Sequence, residues 1–161
     1  MFKLQVYVLL GHNGAGKSTL INILTGKLSP SSGDAFVIGL SVKDSVHGIQ
    51  RLVSSVPQHD LLWGELNATE HIRLIAQIKG VPRQRLQEEI NRVLQKVHLT
   101  EAASQPAGGY SGGMKRRLSI ALAGIGGPRI IMLDEPTTGK FSYFPRKQLL
   151  DLHQLIFCFC F

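Results

Sequence analysis

A glycine-rich segment at residues 11–18, with the sequence Gly-His-Asn-Gly-Ala-Gly-Lys-Ser, constrains the fold of this chain more than any other feature. It matches the pattern G-x-x-x-x-G-K-[ST] at every fixed position, and its glycines let the backbone curl until several N–H groups converge. The pattern requires a strand before the loop and a helix after it. The apolar residues 4–10 predict a buried strand, and residues 17 to about 27 predict a helix, so the sequence meets both requirements.

This loop predicts a binding site for the phosphates of a nucleotide. Lys17 supplies a positive charge for the β- and γ-phosphates, and the helix that begins there adds the positive end of its dipole. The hydroxyl of Ser18 is a predicted ligand of Mg²⁺. A glycine-rich turn that ends in Lys-Ser by chance is the alternative, which the flanking strand and helix disfavour. The remaining predicted binding residues of the loop are Gly11, Asn13, Gly14, Gly16 and Thr19.

The apolar residues 130–133 predict a second buried strand, which ends in the carboxylates of Asp134 and Glu135. In a nucleotide site, the first acid can hold Mg²⁺ through water, and the second can polarise an attacking water molecule. Strands often end in acids, so this pattern is weak when it stands alone. In the same chain as the phosphate loop, it predicts Asp134 as a metal-binding residue and Glu135 as the catalytic carboxylate.

Between these two motifs the sequence changes from strand patterns to helix patterns. Residues 35–40 and 52–56 predict strands, with a turn at residues 28–33. The spacing of Asn67 and Glu70 then predicts a capped helix start. Pro82 and Ser111 are predicted to begin two further helices. Each of the three helices has a predicted apolar face, formed in the first by Ile72, Ile75 and Ile78, in the second by Leu86, Ile90, Val93 and Val97, and in the third by Leu118, Ala121 and Leu122. The predicted fold class is α/β, with a helical subdomain at about residues 66–124.

Three short motifs resemble those of the ATP-binding domains of ABC transporters. Residues 110–114, Tyr-Ser-Gly-Gly-Met, resemble the family signature Leu-Ser-Gly-Gly-Gln and depart from it at the first and last positions. Residues 56–58, Val-Pro-Gln, resemble the family's Q-loop, and residues 136–139 continue the acidic strand as the family does. The resemblance covers residues 4–139. The segments most similar to the subfamily A lipid transporters of eukaryotes are residues 11–19, 57–63 and 111–119.

The resemblance implies a P-loop NTPase fold with a RecA-like core of the ABC type and a helical subdomain inserted between the Q-loop and the acidic strand. It implies binding and hydrolysis of ATP with Mg²⁺, in the energy-coupling cassette of a transmembrane transporter with a lipid-related substrate. Gln58, as a catalytic and metal-site residue, would touch Mg²⁺ or the attacking water. Ser111, Gly112 and Gly113 would close over the γ-phosphate bound to a second cassette. The implied partners are that second cassette and a transmembrane domain, with no nucleic acid expected.

The chain departs from the family pattern toward both ends. The family places an adenine-stacking aromatic residue well upstream of the phosphate loop, and Phe2 and Tyr7 lie too close to the loop for that role. The Asp-containing loop that follows the acidic strand in the family has no counterpart, and His153 lies too early to match its switch histidine. The expectation is an incomplete ATP-binding domain at residues 1–139, truncated at both ends, followed by an atypical tail at residues 140–161.

Length and composition set broader limits. The 161 residues fit one domain, and the two cysteines, Cys158 and Cys160, do not form a disulfide framework or a zinc site. The sequence shows neither a signal-peptide pattern nor an apolar run of membrane-spanning length. The resemblance to ABC transporters implies a place at the cytosolic face of a membrane, by association with a partner.

Two other functions stay open from the sequence. A soluble ABC ATPase that acts on nucleic acid or ribosomes is permitted by the net charge of +7, but only one phosphate loop is present and the helical segment holds no long coiled coil. A remnant that binds nucleotide without efficient hydrolysis is favoured by the missing adenine-stacking residue and switch histidine. A nucleotide titration separates a remnant from an active ATPase.

Overall fold

The computed structural model describes residues 6–12, 14–59, 61–134 and 155–160. Its strands are β1 (Val6–Leu10), β2 (Phe36–Val37), β3 (Leu40–Ser41), β4 (Val53–Val56), β5 (Ile130–Asp134) and β6 (Leu155–Cys160). Its α-helices are α1 (Lys17–Leu24), α2 (Val46–Leu52), α3 (Ala68–Ile78), α4 (Leu86–Lys96) and α5 (Gly112–Ala123). Short 3₁₀ turns lie at Arg83–Arg85 and Ala107–Gly109. The predicted α/β class is confirmed.

The described residues form two compact units. Unit 1 takes its residues from 6–58, 128–134 and 155–160, and unit 2 takes its residues from 59–127. The described residues of unit 2 form helices, 3₁₀ turns and loops, with one isolated β-bridge between Asn67 and Pro106, and the chain enters this part directly after Gln58 and leaves it before β5. The helical part is therefore an insertion between the β4 end and the acidic strand, as predicted.

Unit 1 is built on four parallel strands in the order β1–β6–β5–β4. β5 has a neighbouring strand on each side, and its apolar residues 130–133 are all buried, as an uninterrupted apolar strand predicts. Ile21 of α1 and Ile49 of α2 belong to the same core as Ile130 and Met132 of β5. The helices of unit 1 therefore cover the sheet with apolar side chains.

The tail of the chain supplies β6, which lies inside this sheet rather than apart from it. Residues 155–160 pair in parallel with β1 on one side and with β5 on the other. β1 is then an edge strand of the described sheet, with a neighbour on one side only. The prediction that β1 is buried is wrong, because the exposed fractions are 49% for Tyr7, 54% for Val8, 40% for Leu9 and 68% for Leu10.

Residues 35–40, predicted as one strand, instead turn back on themselves. β2 and β3 pair in an antiparallel hairpin in which Val37 lies opposite Leu40. The two turn residues, Ile38 and Gly39, have φ angles of 52° and 77°. Two consecutive positive φ angles are typical of tight hairpin turns, but a β-branched residue is unfavourable at the first of them. Because isoleucine favours strands, the sequence pattern predicted a continuous strand at this position and not a turn.

The helix α2 was not predicted either. Its residues 46–52 include Gly48, a weak helix former, and Ile49 is its only buried residue. One buried position in seven residues gives no helical stripe for a sequence pattern to detect. Its position is set by packing, because Ile49 lies fully buried in the core of unit 1.

The core of unit 2 is formed by α3, α4 and α5. The predicted cap of α3 is confirmed, since Asn67 Oδ1 accepts from the Glu70 N–H and Glu70 Oε2 accepts from the Asn67 N–H, both at 2.9 Å. The predicted face of α3 is partly wrong, because Ile78 is 68% exposed and fully buried His71 and Ala76 occupy core positions instead. The buried face predicted for α4, at Leu86, Ile90, Val93 and Val97, is confirmed.

The starts of α4 and α5 differ in how well the sequence predicted them. Pro82 does not begin α4, because the 3₁₀ turn comes first and α4 begins at Leu86. Ser111 caps α5 as predicted, and Leu118 is fully buried. Ala121 and Leu122 pack against the same core while partly exposed. Within the described part of the chain, no helix has the length and apolar character needed to cross a membrane.

Candidate functional site

Three predicted site segments lie at one edge of the unit 1 sheet, where its parallel strands have their carboxyl ends. The glycine-rich loop follows β1, Gln58 follows β4, and Asp134 is the last residue of β5. The parallel register pairs Val56 with Leu133, so β4 and β5 end level with each other. Ligands of open α/β sheets bind at this edge, because loops and helix N-termini converge there.

The glycine-rich loop is a compact turn that leaves its backbone accessible. Gly14 and Gly16 have φ angles of 82° and 88°, and a Cβ at either position would meet nothing within 4 Å. The requirement for glycine at both is therefore conformational rather than steric. Ala15 N–H donates to the His12 carbonyl at 3.1 Å, and a Cβ on Gly11 would lie 3.1 Å from the Ala15 Cβ. A ligand can approach this backbone closely.

The ammonium group of Lys17 lies inside this loop. Lys17 is 7% exposed, and its Nζ donates to the carbonyls of Gly11 at 2.6 Å and His12 at 3.0 Å. A buried ammonium is costly without such acceptors, so the loop's own carbonyls fix the charge in place. The sequence did not reveal this use of His12, because a backbone carbonyl is the same in every residue type.

The N-terminus of α1 adds to the positive potential of the loop. Gly16 is its N-cap in a left-handed conformation, and Leu20 N–H donates to the Gly16 carbonyl at 2.9 Å. The amides before Leu20 belong to the first turn, where a helix offers no internal acceptors. Those amides include Ser18 and Thr19, whose side chains are exposed, and the first turn contains no acidic residue. An anion is the ligand that this helix end favours.

Ser18 and Asp134 meet at this edge although 116 positions separate them in the sequence. Ser18 Oγ donates to Asp134 Oδ2 at 2.8 Å. A hydroxyl and a carboxylate oxygen side by side are ligands of the hard kind that Mg²⁺ prefers. The described residues contain no group of three or more His, Cys, Asp or Glu side chains suited to a metal ion. A metal at Ser18 and Asp134 would therefore take further ligands from water and phosphate oxygens, as Mg²⁺ commonly does.

Unit 2 carries a second helix start with anion-attracting character. Ser111 caps α5, and its Oγ accepts from the Met114 N–H at 3.3 Å. Gly112 and Gly113 form the first turn, which contains no acidic residue. Lys115, Arg116 and Arg117 follow after Met114, so the electrostatic field at this helix end is positive.

The remaining predicted site residues differ in what the structure says of them. Gln58 is exposed, two residues beyond the end of β4. Asn13 and Glu135 lie outside the described residues, so their roles stay predictions. His153, interpreted as incidental, also lies outside them.

Comparisons with known proteins agree with the motifs. The sequence profile of the ABC transporter family matches residues 1–138. The chain is 49% identical to ABC transporter A family member 1 of Dictyostelium discoideum, over 89% of its own length and 16% of that protein. It is 48% identical to ABC transporter A family member 2 of Arabidopsis thaliana, over 93% of its length and 15% of that protein.

A human relative and a solved structure extend this picture. The chain is 39% identical to the phospholipid-transporting ATPase ABCA3 of Homo sapiens, over 96% of its length and 9% of that protein. The chain thus spans less than a fifth of the length of these curated relatives. A solved structure of the ATP-binding subunit of an ABC transporter superposes with a TM-score of 0.81 at 24% identity, covering 98% of this chain and 68% of that one. That likeness confirms the predicted P-loop NTPase fold.

Proposed function

This chain belongs to the ABC transporter family, and from that membership we propose that it binds Mg-ATP at residues 11–18 and hydrolyses it as the energy-coupling cassette of a membrane transporter. One observation supports the proposal above the others. The loop that holds the Lys17 ammonium and the Ser18–Asp134 pair lie at the same edge of one parallel sheet. Positive charge for phosphates and oxygen ligands for a cation are both required for a nucleotide bound with Mg²⁺.

The loop residues bind the phosphates in this proposal. Phosphate oxygens accept hydrogen bonds from the loop amides and from the first-turn amides of α1. They also replace the Gly11 and His12 carbonyls as acceptors for the Lys17 ammonium. Ser18, Asp134 and Gln58 would hold Mg²⁺, which would supply positive charge beside the β- and γ-phosphates. Asn13 and Thr19 complete the phosphate contacts. The flexible Lys17 stem then carries its charge toward the γ-phosphate without moving α1.

Glu135 supplies the base in this proposal, because it directly follows Asp134 in the sequence. Its carboxylate takes a proton from a water molecule whose oxygen attacks the γ-phosphorus. The bond from that phosphorus to the oxygen bridging to the β-phosphate breaks, which releases ADP and inorganic phosphate. Lys17 stabilises negative charge that develops on the departing oxygen and on the γ-phosphate.

The hydrolytic site is composite in this proposal. Ser111, Gly112 and Gly113, at the positive N-terminus of α5, close over the γ-phosphate bound to a second cassette. A transmembrane domain is the other partner, and the assembly lies at the cytosolic face of a membrane. The resemblance to subfamily A, together with the name of the phospholipid-transporting relative, favours a lipid-related substrate. The +7 charge suits an anionic membrane surface as well as a nucleotide.

Phosphate release by the purified full chain tests this function. At low protein concentration we expect slow turnover, and the rate per molecule should rise with concentration because two copies form each site. Removing a general base commonly costs at least about a hundredfold in rate, so Glu135→Gln should lower turnover by at least that factor while leaving Mg-ATP affinity nearly unchanged. A rate per molecule that does not vary with concentration would contradict the composite site, and unchanged turnover in Glu135→Gln would contradict the role of Glu135.

A further inference from the structure

A buried histidine in unit 2 is bonded through both ring nitrogens. His71 of α3 is 0% exposed, its Nε2 lies 3.1 Å from the Trp63 backbone nitrogen, and its Nδ1 lies 2.8 Å from the Asn67 carbonyl oxygen. The Trp63 N–H can only donate, so Nε2 accepts and Nδ1 carries the proton donated to Asn67. The rings of His71 and Trp63 also lie 5.7 Å apart, tilted by 32°. His71 thus holds the Trp63 segment against α3.

The Trp63 segment is joined in turn to the 3₁₀ turn at Ala107–Gly109. Gly108 N–H donates to the Gly64 carbonyl at 2.9 Å, and Ala107 N–H donates to the Leu66 carbonyl at 2.9 Å. A Cβ on Gly108 would lie 3.1 Å from the Gly64 carbonyl oxygen, which is closer than most real Cβ contacts. The close approach of the two segments therefore leaves little room for a side chain at position 108.

The same turn is connected to the start of α5. Lys115 Nζ donates to the Gly108 carbonyl at 3.1 Å. Gly108 is therefore hydrogen-bonded through both its N–H and its carbonyl. Tyr110, which directly precedes Ser111, is 5% exposed, and its hydroxyl donates to the Ala102 carbonyl. Burial raises the pKa of the Tyr110 hydroxyl, so it stays a neutral donor. Hydrogen bonds, together with the covalent link from Trp63 to Gly64, therefore connect His71 to the helix that Ser111 caps.

We infer that His71 is a positioning residue for the Ser111 surface. By holding Trp63, it fixes Gly64, and through the Gly64–Gly108 bond it fixes the turn that sets the direction of α5 at Ser111. This inference rests on the proposed function, in which Ser111 meets the γ-phosphate of a second cassette. His71 touches neither nucleotide nor water in this role, and it acts only through the segments it holds.

Two substitutions at His71 separate positioning from simple packing. His71→Gln carries an amide oxygen at the depth of Nε2, so it can still accept from the Trp63 N–H. His71→Asn is shorter, can still donate to the Asn67 carbonyl, and loses the bond to Trp63. The sequence contains one tryptophan, so intrinsic fluorescence of the full chain reports on Trp63 alone.

For His71→Asn we expect a changed Trp63 emission maximum and at least about tenfold faster amide exchange in residues 107–110, because their anchor is lost. We also expect at least about tenfold weaker Mg-ATP-dependent self-association, while the Kd for Mg-ATP stays unchanged because the loop lies in unit 1. His71→Gln should restore all three properties. Wild-type exchange rates in His71→Asn, or equal behaviour of the two variants, would overturn the inference.

Two glycine substitutions test the same link without touching His71, which matters if His71→Asn fails to fold. Gly108→Ala places a methyl group against the Gly64 carbonyl and should accelerate exchange in residues 61–66, whereas Gly109→Ala meets nothing within 4 Å and should not. Equal exchange in these two variants would also overturn the inference. Ser111→Ala separates the two proposals: if it leaves self-association at the wild-type level, the proposed composite site fails. If it weakens association and His71→Asn does not, only the inference fails.

Discussion

At the scale of single residues, the site depends on polar groups that are far apart in the chain and adjacent in space. Ser18 and Asp134 can form a hydrogen bond because the loop after β1 leads into α1 at the sheet edge where β5 ends in Asp134. The sequence predicted both residues as metal-site members, since a phosphate loop and an acidic strand end belong at one sheet edge. The sequence could not predict that the Gly11 and His12 carbonyls hold Lys17, because every residue type has the same backbone carbonyl.

Ser18→Ala tests the metal role of this pair. Removing the hydroxyl deletes one oxygen ligand and leaves the loop backbone in place, so ATP without Mg²⁺ should bind almost as before. The affinity for Mg-ATP should fall by about tenfold, which corresponds to about 1.4 kcal/mol. Isothermal titration with and without Mg²⁺ measures both, and Ser32→Ala, in an exposed turn, serves as the control. An equal loss of affinity with and without Mg²⁺ would count against a metal at Ser18.

At the scale of elements, the helices of unit 2 followed their sequence patterns more closely than the small strands of unit 1. The stripe on α4 and the caps of α3 and α5 were predicted, because periodicity and capping are local properties. The β2–β3 hairpin was not, because Ile38 adopts a φ of 52° that its side chain disfavours. That strain is imposed by the pairing of Phe36 with Ser41 and of Val37 with Leu40.

Ile38→Asn should therefore stabilise the protein. Asparagine tolerates the left-handed conformation, and Ile38 is 40% exposed, so relief of strain should outweigh lost burial by about 0.5–1 kcal/mol. Gly39→Ala is the opposite control: its φ is 77°, open space surrounds the position, and the strain of a side chain there should destabilise by about 1 kcal/mol. Urea unfolding at constant m-value measures both changes. A loss of stability in Ile38→Asn would show that packing of Ile38 matters more than its backbone strain.

At the scale of the whole molecule, the sheet depends on a strand from the far end of the chain. The sequence identified residues 155–161 as apolar but gave no partner for them, because seven apolar residues without polar alternation do not specify a strand register. Only the pairing of β6 with β1 and β5 reveals its place. The insertion of unit 2, by contrast, was predicted from the order of the motifs, since the phosphate loop and the acidic strand must belong to one sheet.

A chain ending at residue 154 tests the contribution of β6. Without it, β1 loses its only paired neighbour among the described strands, and the phosphate loop that follows β1 loses its support. We expect a lower midpoint of thermal unfolding and Mg-ATP affinity reduced by at least about tenfold, because the ordering of the loop must then be supplied by binding. The same midpoint and affinity in both chains would show that the loop is ordered independently of β6.

Equilibrium titration of the full chain with Mg-ATP tests the central claim most directly, because every proposed step begins with phosphate binding at residues 11–18. Lys17→Ala removes the ammonium that the loop encloses and should weaken binding by at least about tenfold. Lys43→Ala removes an equal charge from an exposed position of unit 1 and should leave the curve unchanged. Saturable wild-type binding that only Lys17→Ala weakens is the predicted result. Superimposable curves for wild type and Lys17→Ala would contradict the assignment of this loop as the phosphate site.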